Sequence, residues 1–230
     1  MSHQLKAVHR RRLREVWRSS GWPCRDNVEL ELLAAGLLLR QLDEAGRETL
    51  RVTDAGIAEL AGALVRNRAA LDAHEALVAR VATEMQRAGR LVWRGLSLRA
   101  PLPGEAGDTR WVMARPDVFS VRHTSVEDYL EPVAHEIKVR RADLLADLRR
   151  PAKAQAYLAM ASQCWYVLAP GIAQPGEIPP EYGVMQAGAG SLEVMRPAPR
   201  RAMRLPFAAW MALARAAADP PPDDAAQDGL

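Results

Sequence analysis

The sequence predicts an α+β protein, in which a small module of helices and a β-hairpin precedes a larger domain with a central mixed sheet flanked by helices. Three observations carry this. The first 65 residues read as two short helices, two short strands around a turn, and a further helix. From residue 69 the order is helix, three strands, helix, strand, which packs as a sheet with helices on its faces. Hydrophobic residues make up 49% of the 230, in runs too short to cross a bilayer.

Each element has a local reason. Residues 3–19 predict a basic helix with an approximate apolar stripe of Leu5, Val8, Leu13 and Val16. Gly21-Trp22-Pro23 breaks it, and Asp26-Asn27 caps a second helix that Gly36 ends. Two short strands, 37–42 and 48–53, flank the turn-forming Asp43-Glu44-Ala45-Gly46-Arg47. Thr53 or Asp54 caps a helix to Val65, and a long helix follows over Ala69 to Arg87. A strand at 91–99, a Pro/Gly loop at 101–108, a strand region at 110–114 and 117–122, and a strand at 132–139 come next. Helix is expected from Arg141 to Arg149 and, after Pro151, from Ala152 to Ala161. A buried strand at 164–169, short strands near 183–187 and 192–196, and a helix from Phe207 to Ala217 complete the body. The domains expected are 1–68 and 69–217, with a disordered acidic, Pro-rich tail at 218–230.

Composition bounds the function. The net charge is +3, and the tail holds Asp219, Asp223, Asp224 and Asp228, so the body alone is near +7 (3 plus 4). That balance suits a polyanionic partner such as DNA. No apolar signal core opens the chain, and its two cysteines, Cys24 and Cys164, read as reduced thiols, so a cytoplasmic location without membrane attachment is expected. The 31 basic residues comprise 28 Arg and only Lys6, Lys138 and Lys153. A lysine kept among so many arginines is a candidate for chemistry that needs a compact ammonium.

Pro116-Asp117 and His135-Glu136-Ile137-Lys138 hold the candidate chemistry. On a strand, residues i and i+2 share a face, so Glu136 and Lys138 point together while Ile137 enters the opposite apolar layer. A hairpin through 123–130 would set Asp117 beside Glu136. Two adjacent carboxylates repel unless a cation lies between them. Asp117, Glu136 and the Ile137 carbonyl are therefore candidate ligands of Mg²⁺ or Mn²⁺. Lys138 would orient a water or stabilise charge on a phosphate. Each piece alone has a bland reading, a Pro-Asp turn or a solvated Glu/Lys pair; their order and strand context raise the odds.

Pro116-Asp117 followed by Glu136-Ile137-Lys138 resembles the signature of the PD-(D/E)XK, or restriction-endonuclease-like, nuclease superfamily. The segment Arg140 to Arg149, Tyr157 and the strand Cys164 to Pro170 resemble MmcB-related DNA repair proteins within it. Leu50 to Gly56 resembles the wing-to-helix stretch of winged-helix regulators. The resemblance implies a metal-dependent DNA endonuclease in repair or restriction of foreign DNA, with Asp117, Glu136 and Lys138 as the active trio and a homodimer as one assembly. The alternative is a DNA-binding regulator that uses the nuclease fold only as a scaffold.

Further candidates are weaker. The superfamily resemblance also implies a glutamate on the helix before the first strand, Glu75 or else Glu84, in the catalytic set. Arg140, Arg141 and Lys153, and Arg10, Arg11 and Arg12 on the first helix, are candidate DNA contacts through phosphates. Tyr157 would contact the site or pack in the core. His135 falls on the wrong strand face for a ligand and is read as structural. The helix 27–35 carries Glu29 and Glu31 and no base, which does not suit a groove reader. The N-terminal module is thus either a phosphate-contacting unit or a protein-contact unit.

Overall fold

The structure, a computed structural model, describes residues 5–19, 21–104 and 107–220. The chain divides into two units between Leu71 and Asp72.

In the first unit, helix α1 (Ala7–Arg18) and helix α2 (Asn27–Ala34) precede a hairpin of β1 (Leu38–Leu42) and β2 (Glu48–Val52). Asp26 caps α2 by accepting the Glu29 N–H at 2.9 Å. Leu13, Val16, Leu32, Leu38, Leu50 and Val52 form one small core. Gly21 sits at φ +75°, where a Cβ would lie 2.1 Å from the Leu50 carbonyl oxygen. Glycine is required there by both conformation and space.

Of the acids of α2, Glu29 faces inward and Glu31 is half-exposed. Glu29 is 0% exposed and accepts the Cys24 and Arg25 N–H groups at 2.6 and 2.9 Å, with Arg40 at 3.3 Å. Glu31 meets His9 Nε2 at 2.6 Å. These carboxylates hold the unit together. We expect Glu29→Ala to destabilise the first unit by about 3 kcal/mol, because two backbone donors and a guanidinium lose their buried acceptor. Urea unfolding measures this, and a loss under about 1 kcal/mol would contradict it.

Three arginines of the basic first helix have acidic partners. Arg10 donates to Glu59 at 2.8 Å, Arg11 to Glu15 at 2.9 Å, and Arg12 to Asp26 at 2.8 and 3.2 Å. The three arginines expected to contact DNA each pair with a carboxylate of their own unit.

Two expected helices are one. Helix α3 runs Asp54–Arg87 without a break. Residues 66–69 (Arg-Asn-Arg-Ala) contain neither Gly nor Pro, so their polarity marks exposure and not an end.

The second unit holds a six-stranded mixed sheet in the order β10-β9-β8-β7-β6-β3. Its strands are β3 (Arg90–Arg94), β6 (Val118–Arg122), β7 (Val133–Lys138), β8 (Gln163–Leu168), β9 (Gly183–Ala187) and β10 (Leu192–Arg196). The β7–β8 and β8–β9 pairs are parallel, while β3–β6, β6–β7 and β9–β10 are antiparallel. Residues 101–103, expected as loop, lie in a separate hairpin of β4 (Leu98–Pro103) and β5 (Thr109–Ala114). Its prolines are tolerated because β4 pairs on one edge only.

Helices α4 (Arg141–Leu148), α5 (Pro151–Met160) and α6 (Phe207–Arg215) follow in order. One face of the sheet packs Phe119, Ala134 and Tyr166 with Tyr157, Met160 and Leu98. The other packs Val118, Val133 and Ile137 under Leu77, Val78 and Val81 of α3. All six residues of β7 are buried, so polar side chains there need partners from the structure itself.

Disorder expected from residue 218 does not begin there. The Asp219 N–H bonds the Val92 carbonyl at 2.8 Å along the free edge of β3, and its carboxylate pairs with Arg94. Residues 221–230 of the expected tail lie outside the described residues. Among the described residues, no helix is long and apolar enough to cross a membrane. Both cysteines are free thiols, Cys24 exposed and Cys164 buried.

Candidate active site

The loop from β6 to β7 returns the chain antiparallel, with Val118 opposite His135 and Phe119 opposite Ala134. Continuing that register by one step sets Asp117 opposite Glu136, on the sheet face that carries Phe119 and Ala134. Asp117 Oδ2 accepts the Ile137 N–H at 2.7 Å and so takes the place of the next rung of the ladder. A residue's N–H and C=O face the same side of its strand. The Ile137 carbonyl therefore looks toward Asp117 as well.

Glu136 is the hub. Its Oε1 accepts Lys138 Nζ at 2.5 Å and Lys153 Nζ at 2.6 Å, and its Oε2 lies 2.8 Å from the Tyr157 hydroxyl. Tyr157 also reaches the Arg115 carbonyl at 2.8 Å. A third carboxylate completes the group: Asp147 meets Lys153 at 2.6 Å, Lys138 at 3.4 Å and the Tyr166 hydroxyl at 3.0 Å. Two of the chain's three lysines thus meet on one carboxylate oxygen.

Lys153, expected as a phosphate contact, belongs to this part-buried network. The α4–α5 break at Arg149-Arg150-Pro151 turns the chain, and α5 then carries Lys153 and Tyr157, four residues apart, on one face toward Glu136. Asp147 and Tyr166 also belong to the site, and Asp147 had no sequence signal beyond a recurring acid after the Glu-X-Lys. Arg141 is bound to Glu177 at 2.6 and 3.2 Å and to the Ile172 carbonyl at 3.0 Å, so it holds a loop and is not a free cation. Arg140 occupies the N-cap position of α4 without a side-chain cap hydrogen bond.

Glu75 does not touch Asp117 or Glu136. It is exposed and reaches His74 Nδ1 at 3.3 Å, while His74 Nε2 lies 3.4 Å from Asp117 Oδ2. His74 stands where the helix glutamate was expected. These residues line a cleft of about 430 Å³ with Arg94, Arg115 and Asp117. His135 lies on the opposite face, fully buried, with Nδ1 lacking a partner. Burial and the nearby Arg90 push its pKa down to about 3, so it is a neutral core imidazole.

Electrostatics separate the acids. Burial and the charge of Glu136 raise the Asp117 pKa above the ordinary carboxylate range. Burial opposes ionisation of Asp147 too, but the Lys153 hydrogen bond and the Lys138 and Lys153 charges prevail and hold its pKa low. Burial would depress the Lys153 pKa, but Glu136 and Asp147 raise it, so Lys153 is a fixed cation and not a proton acceptor. Burial and Glu136 likewise raise the Tyr157 pKa, which keeps the phenol protonated.

Among the described residues, no three side chains of His, Cys, Asp and Glu converge closely enough to hold an ion unaided. The donor set is two carboxylates and a backbone carbonyl, all oxygen. That set suits a hard divalent ion that keeps several waters and takes its remaining ligands from a substrate phosphate.

No family model matches the chain, and no curated protein is similar to it. One solved structure is similar, described as the SPO1766 protein of unknown function from Silicibacter pomeroyi. It is 24% identical, covers 60% of this chain and 79% of that one, and superposes with a TM-score of 0.40. A likeness this slight carries no argument about function.

Proposed function

We propose that the chain is a divalent-metal-dependent nuclease that hydrolyses DNA phosphodiester bonds, with a restriction-endonuclease-like catalytic domain after a winged-helix-like module. One observation carries the reading. Asp117 and Glu136 face each other at the end of β6 and β7, and the Lys138 ammonium lies one pleat further along the same face. Lys138 and Lys153 compensate Glu136, while burial and the Glu136 charge disfavour ionised Asp117, so a cation beside Asp117 would be favoured.

Asp117, Glu136 and the Ile137 carbonyl would hold Mg²⁺ or Mn²⁺. The ion, when bound, supplies charge stabilisation at the scissile phosphate and a water of lowered pKa. The chain's own groups do the rest. Tyr157 and Lys153 fix the Glu136 carboxylate from two sides. Asp147 fixes Lys153 and keeps it charged. Lys138 holds its ammonium at the carboxylate pair, where it orients the attacking water or meets charge developing on the phosphate.

Cleavage assays test this. Plasmid, single-stranded and branched DNA are incubated with Mg²⁺, Mn²⁺ or chelator; cutting that needs metal is expected. A second reading, a DNA-binding scaffold without chemistry, is favoured by the fact that both Glu136 oxygens already have protein partners. Binding without cutting under every condition would select it.

The raised Asp117 pKa gives a separate expectation. A carboxylate whose folded pKa exceeds its unfolded value costs stability once the pH is above that folded value. Below the ordinary carboxylate range, about pH 4, it is protonated in both states and costs nothing. Asp117→Asn should therefore melt higher than the parent at neutral pH in chelator, with the gap closing in acid. Added Mg²⁺ should raise the melting temperature of the parent and not of the variant. Thermal unfolding across pH reads both effects.

A further inference from the structure

We infer that the outward face of the β4–β5 hairpin is a stacking platform for single-stranded DNA that leads the strand to Asp117; this rests on the nuclease reading above. The two strands alternate sharply. Leu98, Ala100, Leu102 and Ala114 are buried in the core beneath the hairpin. The opposite face presents Arg99, Pro103, Trp111 and Met113 to solvent, with Trp111 46% and Met113 59% exposed. Two large apolar side chains on adjacent outward positions of one strand are costly to leave wet unless something covers them.

The chemistry of the face selects what covers it. Arg99 lies over the Trp111 ring, 5.2 Å from its centroid. The guanidinium steadies the indole from one side, as a cation–π contact does, while nearly half of the residue stays accessible. The outward positions of both strands, Arg99, Pro101, Pro103, Thr109, Trp111 and Met113, include no carboxylate. Pro101 and Pro103 stiffen β4, so the platform needs little ordering on binding. An oriented indole with arginine beside it and no acid suits an unpaired base and its phosphate, because a base offers its π-face only when unstacked.

The platform leads along the chain to the cleft. Trp111, Met113 and Arg115 are exposed at alternate positions, and Asp117 follows two residues on. Six residues of extended chain span about 20 Å, a distance of a few nucleotides. Arg115 lines the cleft with Asp117, and its Nε is anchored by the Gly95 carbonyl at 2.9 Å, which aims the guanidinium at the rim. A strand stacked on Trp111 would pass Arg115 before it reached the carboxylates. A duplex offers no free base face to this platform.

The test measures binding by fluorescence anisotropy in chelator, so that no cutting intervenes, with labelled oligo-dT, oligo-rU and a duplex. Trp111→Ala and Trp111→Phe are compared with the parent, each checked for an unchanged melting temperature. Trp111→Ala should weaken oligo-dT binding about 10-fold, leave duplex binding within about two-fold, and be rescued by Trp111→Phe. An unchanged oligo-dT affinity, an equal loss on duplex, or a parent that binds no oligo-dT would overturn the inference. Tighter binding of oligo-rU than of oligo-dT would overturn the assignment to DNA. Cleavage in Mg²⁺ is read separately on the same substrates. Trp111-dependent binding without any cutting would sink the nuclease reading alone, and cutting without Trp111 dependence would sink the platform alone.

Discussion

Lys138→Ala should lose about 10²- to 10³-fold of metal-dependent DNA cleavage while keeping its fold and its DNA affinity. The expectation follows from how the network shares charge. Lys138 Nζ meets Glu136 at 2.5 Å and Asp147 at 3.4 Å, while Lys153 meets the same two acids at 2.6 Å each. When Lys138 is removed, Lys153 still meets both carboxylates, so each keeps one ammonium partner. The ammonium that is lost is the one on β7, two residues past Glu136. Lys138→Arg should not restore the rate, because a planar guanidinium cannot occupy the place of a compact ammonium. Cleavage within about 10-fold of the parent in Lys138→Ala would mean that Lys153 performs the chemistry assigned to Lys138.

Glu136→Gln should both abolish cleavage and destabilise the second unit by about 3 kcal/mol. Here the hub itself is neutralised. Two ammoniums converge on Oε1, and Asp147 alone would be left to compensate both. The amide also presents hydrogens at one of the two positions, where either the Tyr157 hydroxyl or the ammoniums now find an acceptor. Adding Lys153→Met to Glu136→Gln should recover part of the stability, since it removes the cation left without its partner. The two changes should therefore be far from additive in a double-mutant cycle. Purely additive losses in urea unfolding would show that the pair is not coupled as the distances imply.

Much of this arrangement is legible in the sequence. The alternation in His135 to Val139 assigns Glu136 and Lys138 to one face and His135 and Ile137 to the other, and the β6–β7 register agrees with it. The scarcity of lysine marks Lys138, and the same argument applied to Lys153 points into the site, although its helical neighbours Arg149 and Arg150 suggest a solvated face. What local pattern cannot show is a contact made by a turn of the chain. Asp147 and Lys153 lie on different helices, and only the break before Pro151 brings both to Glu136. Tyr166 reaches Asp147 because β8 lies parallel to β7, a pairing set by the crossover through α4 and α5. Pro101 and Pro103 hide an edge strand, and the polar stretch at 66–68 imitates a helix end inside α3. The arginines of α1 read as a basic patch until their acidic partners, 4 to 49 residues away, are seen.

The central claim is that Asp117 and Glu136 share a divalent ion, and calorimetric titration of Mn²⁺ into the chain at neutral pH, without DNA, tests it most directly. The account predicts saturable binding at a single site, because the Asp117 and Glu136 carboxylates would share the ion. It predicts that Asp117→Asn abolishes that binding while Glu75→Gln does not. No saturable heat with the parent chain, or the same isotherm in Asp117→Asn, would contradict it.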